Sequence, residues 1–307
     1  MSLLSMFKGK GPSGFGYGST AEEVTEGLDL TGRTILLTGC NSGIGKETLR
    51  VLSKRGAHVI AAARTVEKAQ AACGEVGGET TAVACELSDP ASVKACAAEV
   101  AGLGRRLDAI ICNAGIMALP KLQQKHGYEL QFFTNHIGHF ILVTSLLQSL
   151  TDNGRVVVVS SGAHKGAPPE GIQFDNLSGE RGYTPFGAYG QSKLANILFA
   201  NELAKRFEGT GKTANSLHPG VIHTNLGRSM PAIARSAMAV AVPVVLKSVP
   251  QGAATQCYVA VHPRVEGVTG KYFADCNESH TTRHGRDEAM AAKLWEASEK
   301  IAAEVTA

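Results

Sequence analysis

No apolar run in this sequence is long enough to cross a membrane. The longest, AMAVAVPVVL from Ala237 to Leu246, is about half of what a spanning helix needs, and Pro243 interrupts it. The opening MSLLSMFKGKGPSGFGYGST carries no apolar core of signal-peptide length, so secretion is not expected. Paired cysteines are missing as well. The seven that occur (Cys40, Cys73, Cys85, Cys96, Cys112, Cys257, Cys276) form an odd set without a C-x-x-C spacing, most of them inside apolar runs. That pattern fits buried free thiols in a reducing compartment better than a disulfide framework or a zinc site. The ten histidines include no H-E-x-x-H, and His136 and His139 lie in an apolar stretch, so no metal is expected. Basic clusters are absent too: Lys and Arg are scattered and the net charge is only +3, which argues against a nucleic-acid partner. The expected location is the cytoplasm.

What is present is an alternation. Residues 1–29 read as an arm that either folds over a cofactor cleft or stays free, with a short helix near STAEEV capped by Ser19 or Thr20. No repeat or low-complexity linker follows, so residues 30–307 make one domain. From Thr34 onward, strand-like runs appear at TILLT, HVIAAA, TAVAC, DAIIC, RVVVVS, TANSLH and GKYFA. Helix-length segments separate them: GKETLRVLSKRG, PASVKACAAEVAGL, GYELQFFTNHIGHFILVTSLLQSL, GAYGQSKLANILFANELAKRF and PQGAATQCYVAV. The first five strands are continuously apolar, which predicts burial on both faces of a parallel sheet. The expected fold is α/β, a doubly wound Rossmann sheet of about seven strands with helices on both faces.

In such a sheet the loop after the first strand lies at the carboxyl edge, where ligands bind. Here it reads TGCNSGIG. Gly39 permits a sharp turn, while Gly43 and Gly45 keep side chains away so that backbone N–H groups face an anion, with Ser42 adding a hydroxyl. A tight turn alone would also explain three glycines. Their place after the first strand of an alternating chain favours a dinucleotide.

TGCNSGIG (38–45), NAG (113–115), YGQSK (189–193) and HPG (218–220), in this order, resemble the short-chain dehydrogenase/reductase family. TNHIGHFILVT, YGQSKLANILFANELA, LHPGVIHTNL and YFADCNE are similar to its retinol dehydrogenase and WW-domain oxidoreductase branch. The N-terminal KGPSGFGYGSTAEEVTEG resembles the start of plant members of that branch belonging to the chloroplast inner-envelope protein translocon. The resemblance implies a catalytic set of Asn135, Ser161, Tyr189 and Lys193. Tyr189 and Lys193 stand four apart on a helix and so share a face. A free tyrosine, with a pKa of about 10, is a poor base at neutral pH, and an ammonium nearby lowers that value. Of two adjacent serines the resemblance selects Ser161 to hold the substrate oxygen and leaves Ser160 as its structural foil. It gives the Asn135 backbone carbonyl the task of ordering a water that links Lys193 to solvent. The lesser alternative is a polar residue that faces a neighbouring loop.

The resemblance also implies cofactor contacts at Gly39, Ser42, Gly43, Ile44, Gly45, Asn113, Ala114, Gly115, Tyr189, Lys193, Pro219, Gly220 and Thr224. Glu86 and Leu87 stand in CELSD where the family usually has an Asp beside the adenine. The second strand ends in Ala63 and then Arg64, where an acid would select NAD; a guanidinium suits the 2′-phosphate of NADP(H). Residues 225–250 read as an apolar lid favouring a lipophilic aldehyde, ketone or alcohol. His164 and His223 are candidate substrate contacts beside Ser161 and Tyr189. The family implies a homodimer or homotetramer. The expected activity is NADP(H)-dependent interconversion of a carbonyl and its alcohol. Two other readings stay open, a cofactor-sensing scaffold or translocon-like subunit and a tetrapyrrole reductase, although the latter's loop usually reads N-A-A instead of NAG.

Overall fold

The computed structural model describes residues 9–222 and 246–307. All seven expected runs form strands: β1 (Thr34–Thr38), β2 (His58–Ala63), β3 (Thr80–Ala84) and β4 (Leu107–Cys112), then, after a two-stranded hairpin of β5 (Gln124–Lys125) and β6 (Tyr128–Glu129), β7 (Leu150–Val159), β8 (Thr213–His218) and β9 (Tyr272–Ala274). An eighth strand, β10 (Asn277–Glu278), joins the expected seven and turns back antiparallel on β9 at one edge. The sheet order is β10-β9-β8-β7-β4-β1-β2-β3, with every other pairing parallel. Chain direction across the sheet reverses between β1 and β4, so the loops after Thr38 and Cys112 open side by side.

Burial explains this arrangement. On β1, Leu36 faces one apolar core while Ile35 and Leu37 face the other. The first core is closed by α4 (Pro90–Gly102), α6 (Gly138–Leu146), α7 (Pro185–Arg206) and α9 (Glu288–Thr306); the second by α1 (Ala21–Val24), α2 (Gly43–Lys54), α3 (Val66–Val76) and α8 (Val249–Val261). Strand β3 departs from the expected two-face burial. It is an edge strand, and only Val83 of its five residues is buried.

The long apolar helix expected over 127–150 is not uniform. It starts as α5 (Leu130–Phe132), widens into a π turn at Phe133–Ile137, and continues as α6. Residues 9–29 of the N-terminal segment are packed onto the domain and not free. Thr20, not Ser19, caps α1, with Glu23 closing a capping box. Phe15 stacks edge-on against Tyr258 of α8, Ser13 bonds Asn277 of β10, and Glu22 pairs with Arg50 of α2 at 2.6 Å. No described helix is long and apolar enough to cross a membrane.

Candidate active site

The carboxyl ends of β1 and β4 build one side of the site. Gly39 has φ +72° and Gly43 φ +55°. A Cβ on Gly45 would run into the Gly39 carbonyl, so helix α2 can press onto the turn only with glycine there. Ser42 caps α2 without using its side chain, and no acidic residue stands in the first turn. Asn113 ties the neighbouring loop down, its Nδ2 donating to the Thr38 carbonyl at 2.8 Å. Its Oδ1 is buried without a hydrogen-bond partner among the described residues. An orphaned acceptor beside an uncapped helix start and a glycine cradle fits a dinucleotide.

The other side comes from α7 and the end of β7. Gly190 lets α7 approach the turn at Gly162–Gly166: a Cβ there would lie 2.8 Å from the Ala163 carbonyl. That contact brings the Tyr189 phenol beside Ser161, whose side chain pulls the phenol's pKa down. Lys193 Nζ sits 5.7 Å from the Tyr189 ring centre and donates to the Val159 carbonyl at 3.0 Å. A Cβ on Gly115 would lie 3.6 Å from that Nζ, so the loop after β4 touches the lysine. Burial pushes the Tyr189 phenol up to about 12, against the pull of Ser161, and pushes Lys193 down to about 8. The expectation that Lys193 lowers the Tyr189 pKa is therefore not what this geometry gives. Desolvation dominates, and the ammonium points at a carbonyl. Ser160 behaves as the foil, its hydroxyl donating to the Lys193 backbone carbonyl at 2.6 Å.

A match to short chain dehydrogenase covers residues 33–233. The chain belongs to the short-chain dehydrogenase family. It is 41% identical to the short-chain dehydrogenase TIC 32 B, chloroplastic, of Brassica napus, with 98% of both chains covered. It is 39% identical to human retinol dehydrogenase 14, covering 88% of this chain and 86% of that one. A crystal structure of a protein from Mycobacterium paratuberculosis shares the fold at a TM-score of 0.75 and 34% identity, covering 91% of this chain and 96% of that one. This short-chain dehydrogenase is accordingly an oxidoreductase of a family that uses nicotinamide cofactors.

Other expected contacts fall differently in this short-chain dehydrogenase. Arg64 is exposed after β2, with no hydrogen bond or ion pair among the described residues. Glu86 has its carboxylate taken up locally, accepting from the Ser88 N–H and hydroxyl at 3.1 and 3.0 Å, while Leu87 is buried. His164 is 1% exposed, bonded through Nδ1 to the Ser161 carbonyl and turned edge-on to Tyr272. His223, Thr224 and the expected lid up to residue 245 lie outside the described residues. At the end of that segment Leu246 and Lys247 are buried, and Ser248 caps α8. Pro219 and Gly220 follow β8, and the stem of Lys247 lies against Gly220.

Three groups escaped the sequence reading. His218 accepts the Gly162 N–H at 3.0 Å and so holds the turn after Ser161; burial pushes its pKa down to about 4. Lys247 reaches Asp275 in the β9–β10 turn at 2.6 Å, a charge contact without hydrogen-bond alignment. His139 bonds both Asn135 and Thr38. No local signal marks any of them, since each partner is distant in sequence or a backbone atom.

Proposed function

We propose that this short-chain dehydrogenase reduces a lipophilic aldehyde or ketone to its alcohol with NADPH. The buried Tyr189 phenol, beside Ser161 and one turn before Lys193, carries the reading. A phenol that keeps its proton until about pH 12 is a donor at neutral pH, the role a carbonyl oxygen needs filled as it gains charge. Ser161, half-buried at the end of β7, holds that oxygen, and Tyr189 gives it a proton. Lys193, poised near pH 8, replaces the proton. Bound NADPH supplies the hydride.

We assign the pyrophosphate to Gly39, Ser42, Gly43, Ile44 and Gly45, and the 2′-phosphate to the unengaged Arg64 guanidinium. The adenosine side falls to Leu87 and to Asn113, Ala114 and Gly115, with Glu86 contributing backbone only, because Ser88 occupies its carboxylate. The nicotinamide end falls to Tyr189, Lys193, Pro219, Gly220 and Thr224. A lipophilic substrate is supported by the apolar sequence of residues 225–250 and by the name of the retinol dehydrogenase relative. A reducing compartment such as the cytoplasm suits seven free thiols, all but Cys73 buried.

The test follows NADPH oxidation against a panel of lipophilic aldehydes and ketones, with Tyr189→Phe beside the wild type and NADH as control. Turnover that is lost in the variant and weak with NADH is the expected result. NADPH binding without turnover of any carbonyl would overturn the reductase reading in favour of a cofactor-sensing scaffold.

A further inference from the structure

One side chain bonds both the catalytic helix region and the cofactor loops, and nothing above gives it a role. His139, on α6, is 1% exposed. Its Nδ1 lies 3.0 Å from the Asn135 backbone carbonyl and its Nε2 2.9 Å from the Thr38 hydroxyl. The partners fix the tautomer. A carbonyl only accepts, so Nδ1 carries the proton, and Nε2 of the neutral ring accepts from Thr38. With its single hydrogen directed there, the Thr38 oxygen accepts the backbone N–H groups of Asn113 and Ala114, both at 3.0 Å. The alternative use of that hydrogen, toward the Ile111 carbonyl, is longer at 3.4 Å.

The path continues on the far side. Asn135 Oδ1 accepts the Ile116 N–H at 2.8 Å, and Nδ2 donates to the Ile116 carbonyl and the Ser192 hydroxyl, both at 2.9 Å. Ser192 in turn donates to the Tyr189 carbonyl at 2.8 Å. The side chain of Asn135 thus faces a neighbouring loop, and its backbone carbonyl is held by His139. Asn135 also stands in the π turn, a local distortion frequent at functional sites. Both ends of this path enter the proposed reaction, one through Asn113 and Ala114 and the other through the Tyr189 turn.

We propose that His139 is a positioning residue: its two ring nitrogens join the Asn135 carbonyl to the Thr38 hydroxyl and so set the Tyr189–Lys193 helix against the cofactor loop. The kinetic consequence rests on the reductase reading; the hydrogen bonds do not. Burial holds the ring neutral, with a pKa near 4, and the Lys193 charge acts in the same direction. His136, the other titratable neighbour, supplies a control. It is equally buried but bonds Ser298 of α9 and packs among Phe132, Phe140 and Phe199.

The test compares His139→Gln, which keeps a donor and an acceptor, with His139→Phe, which keeps a ring and neither bond. A displacement of about 1 Å at reacting groups costs on the order of 100-fold, so kcat should fall by about that factor in the Phe variant and by less than about tenfold in the Gln variant. His136→Phe should lower the melting temperature while leaving kcat within a few-fold of wild type. A Phe variant at least as active as the Gln variant would overturn the proposal. Nitrogen NMR of the labelled wild-type histidines decides independently of folding in the variants: an Nδ1–H ring that does not titrate between pH 5 and 9 is expected, and an Nε2–H ring would overturn it. Wild type that turns over no carbonyl would count against the reductase reading alone, and the tautomer would still decide the bonds.

Discussion

Two lysines are buried at the carboxyl edge of the sheet, and their surroundings are opposite. Lys193, on α7, is 4% exposed and has no carboxylate within ion-pair distance among the described residues; its only polar contact there is the Val159 carbonyl. Lys247, beyond the loop after β8, has a side chain 1% exposed, with Asp275 at 2.6 Å and the Tyr17 ring centre at 4.9 Å from Nζ. Burial without a counter-ion disfavours the charged form and brings proton exchange toward neutral pH, as the value near 8 for Lys193 shows. A paired cation instead joins three stretches of chain: the N-terminal segment, the loop at Gly220 and the β9–β10 turn. Of two similarly buried lysines, the unpaired one is the one we assign to the chemistry, and the paired one we assign to the framework.

Replacing Lys193 tests the first half of that statement and has the largest expected effect. Lys193→Met should reduce carbonyl turnover by about a thousandfold, within the range of proton-transfer contributions. It should not destabilise the fold, because Asn196 Nδ2 still donates to the Val159 carbonyl at 3.1 Å. Below about pH 8 the ammonium is charged in both the folded and unfolded chains, and its burial costs stability. Above the unfolded value of about 10.4 it is neutral in both, and that cost is gone. Melting curves should therefore show the variant more stable than wild type at pH 7, with the gap closing between about pH 8 and 10. Wild-type reduction should slow as pH rises through about 8. A variant less stable than wild type at pH 7 would break the comparison.

Lys247→Met should act in the opposite sense. It leaves the Asp275 carboxylate without its partner in a turn where Asp275 and Cys276 already hold φ +52° and +61°. The Asp275 side chain is 32% exposed and can recover some hydration, so the loss should be about 1–3 kcal/mol and not the 3–5 of a fully buried pair. Adding Asp275→Asn should return part of it. Chemical denaturation reads both, and kcat at saturating cofactor should stay within about fivefold. A thousandfold loss of kcat here would erase the distinction between the two lysines.

What the sequence made legible follows the same division. Strands buried on both faces are continuous apolar runs, so β1, β2, β4 and β7 could be read directly. Helix α3 could not, because VEKAQAACGEV buries only Ala69 and Ala72, and β10 is two residues long. Tyr189 and Lys193 are legible because four residues on a helix fix their relation. Ser161 follows an apolar run, but it is the resemblance that selects it over Ser160. His164 stands close to Ser161 in sequence, but its direction is set by Tyr272 from another strand. Lys247 looked like part of an apolar lid because nothing local announces Asp275. His139 looked like one more residue of an apolar helix, since one partner is a backbone carbonyl four residues back and the other, Thr38, becomes a neighbour only when β1 and the helix meet.

The smallest effect asks how much of the Lys247 site is charge pairing and how much is the aromatic face. Tyr17 is 8% exposed, and its ring takes the Lys247 ammonium on one side. A cation over a ring contributes about 0.5–2 kcal/mol, more as water is excluded. Tyr17→Leu should cost stability in that range plus lost packing, and the packing part should be the same whether or not Lys247 is present. A double-mutant cycle with Lys247→Met separates the two. A coupling of about 1 kcal/mol would mean that the N-terminal segment is held partly by the buried charge, so that residues 9–25 and the Gly220 loop are one stability unit. Zero coupling would mean that the hold on the N-terminal segment does not depend on the buried charge, and would leave Asp275 as the partner that matters to the lysine among the described residues.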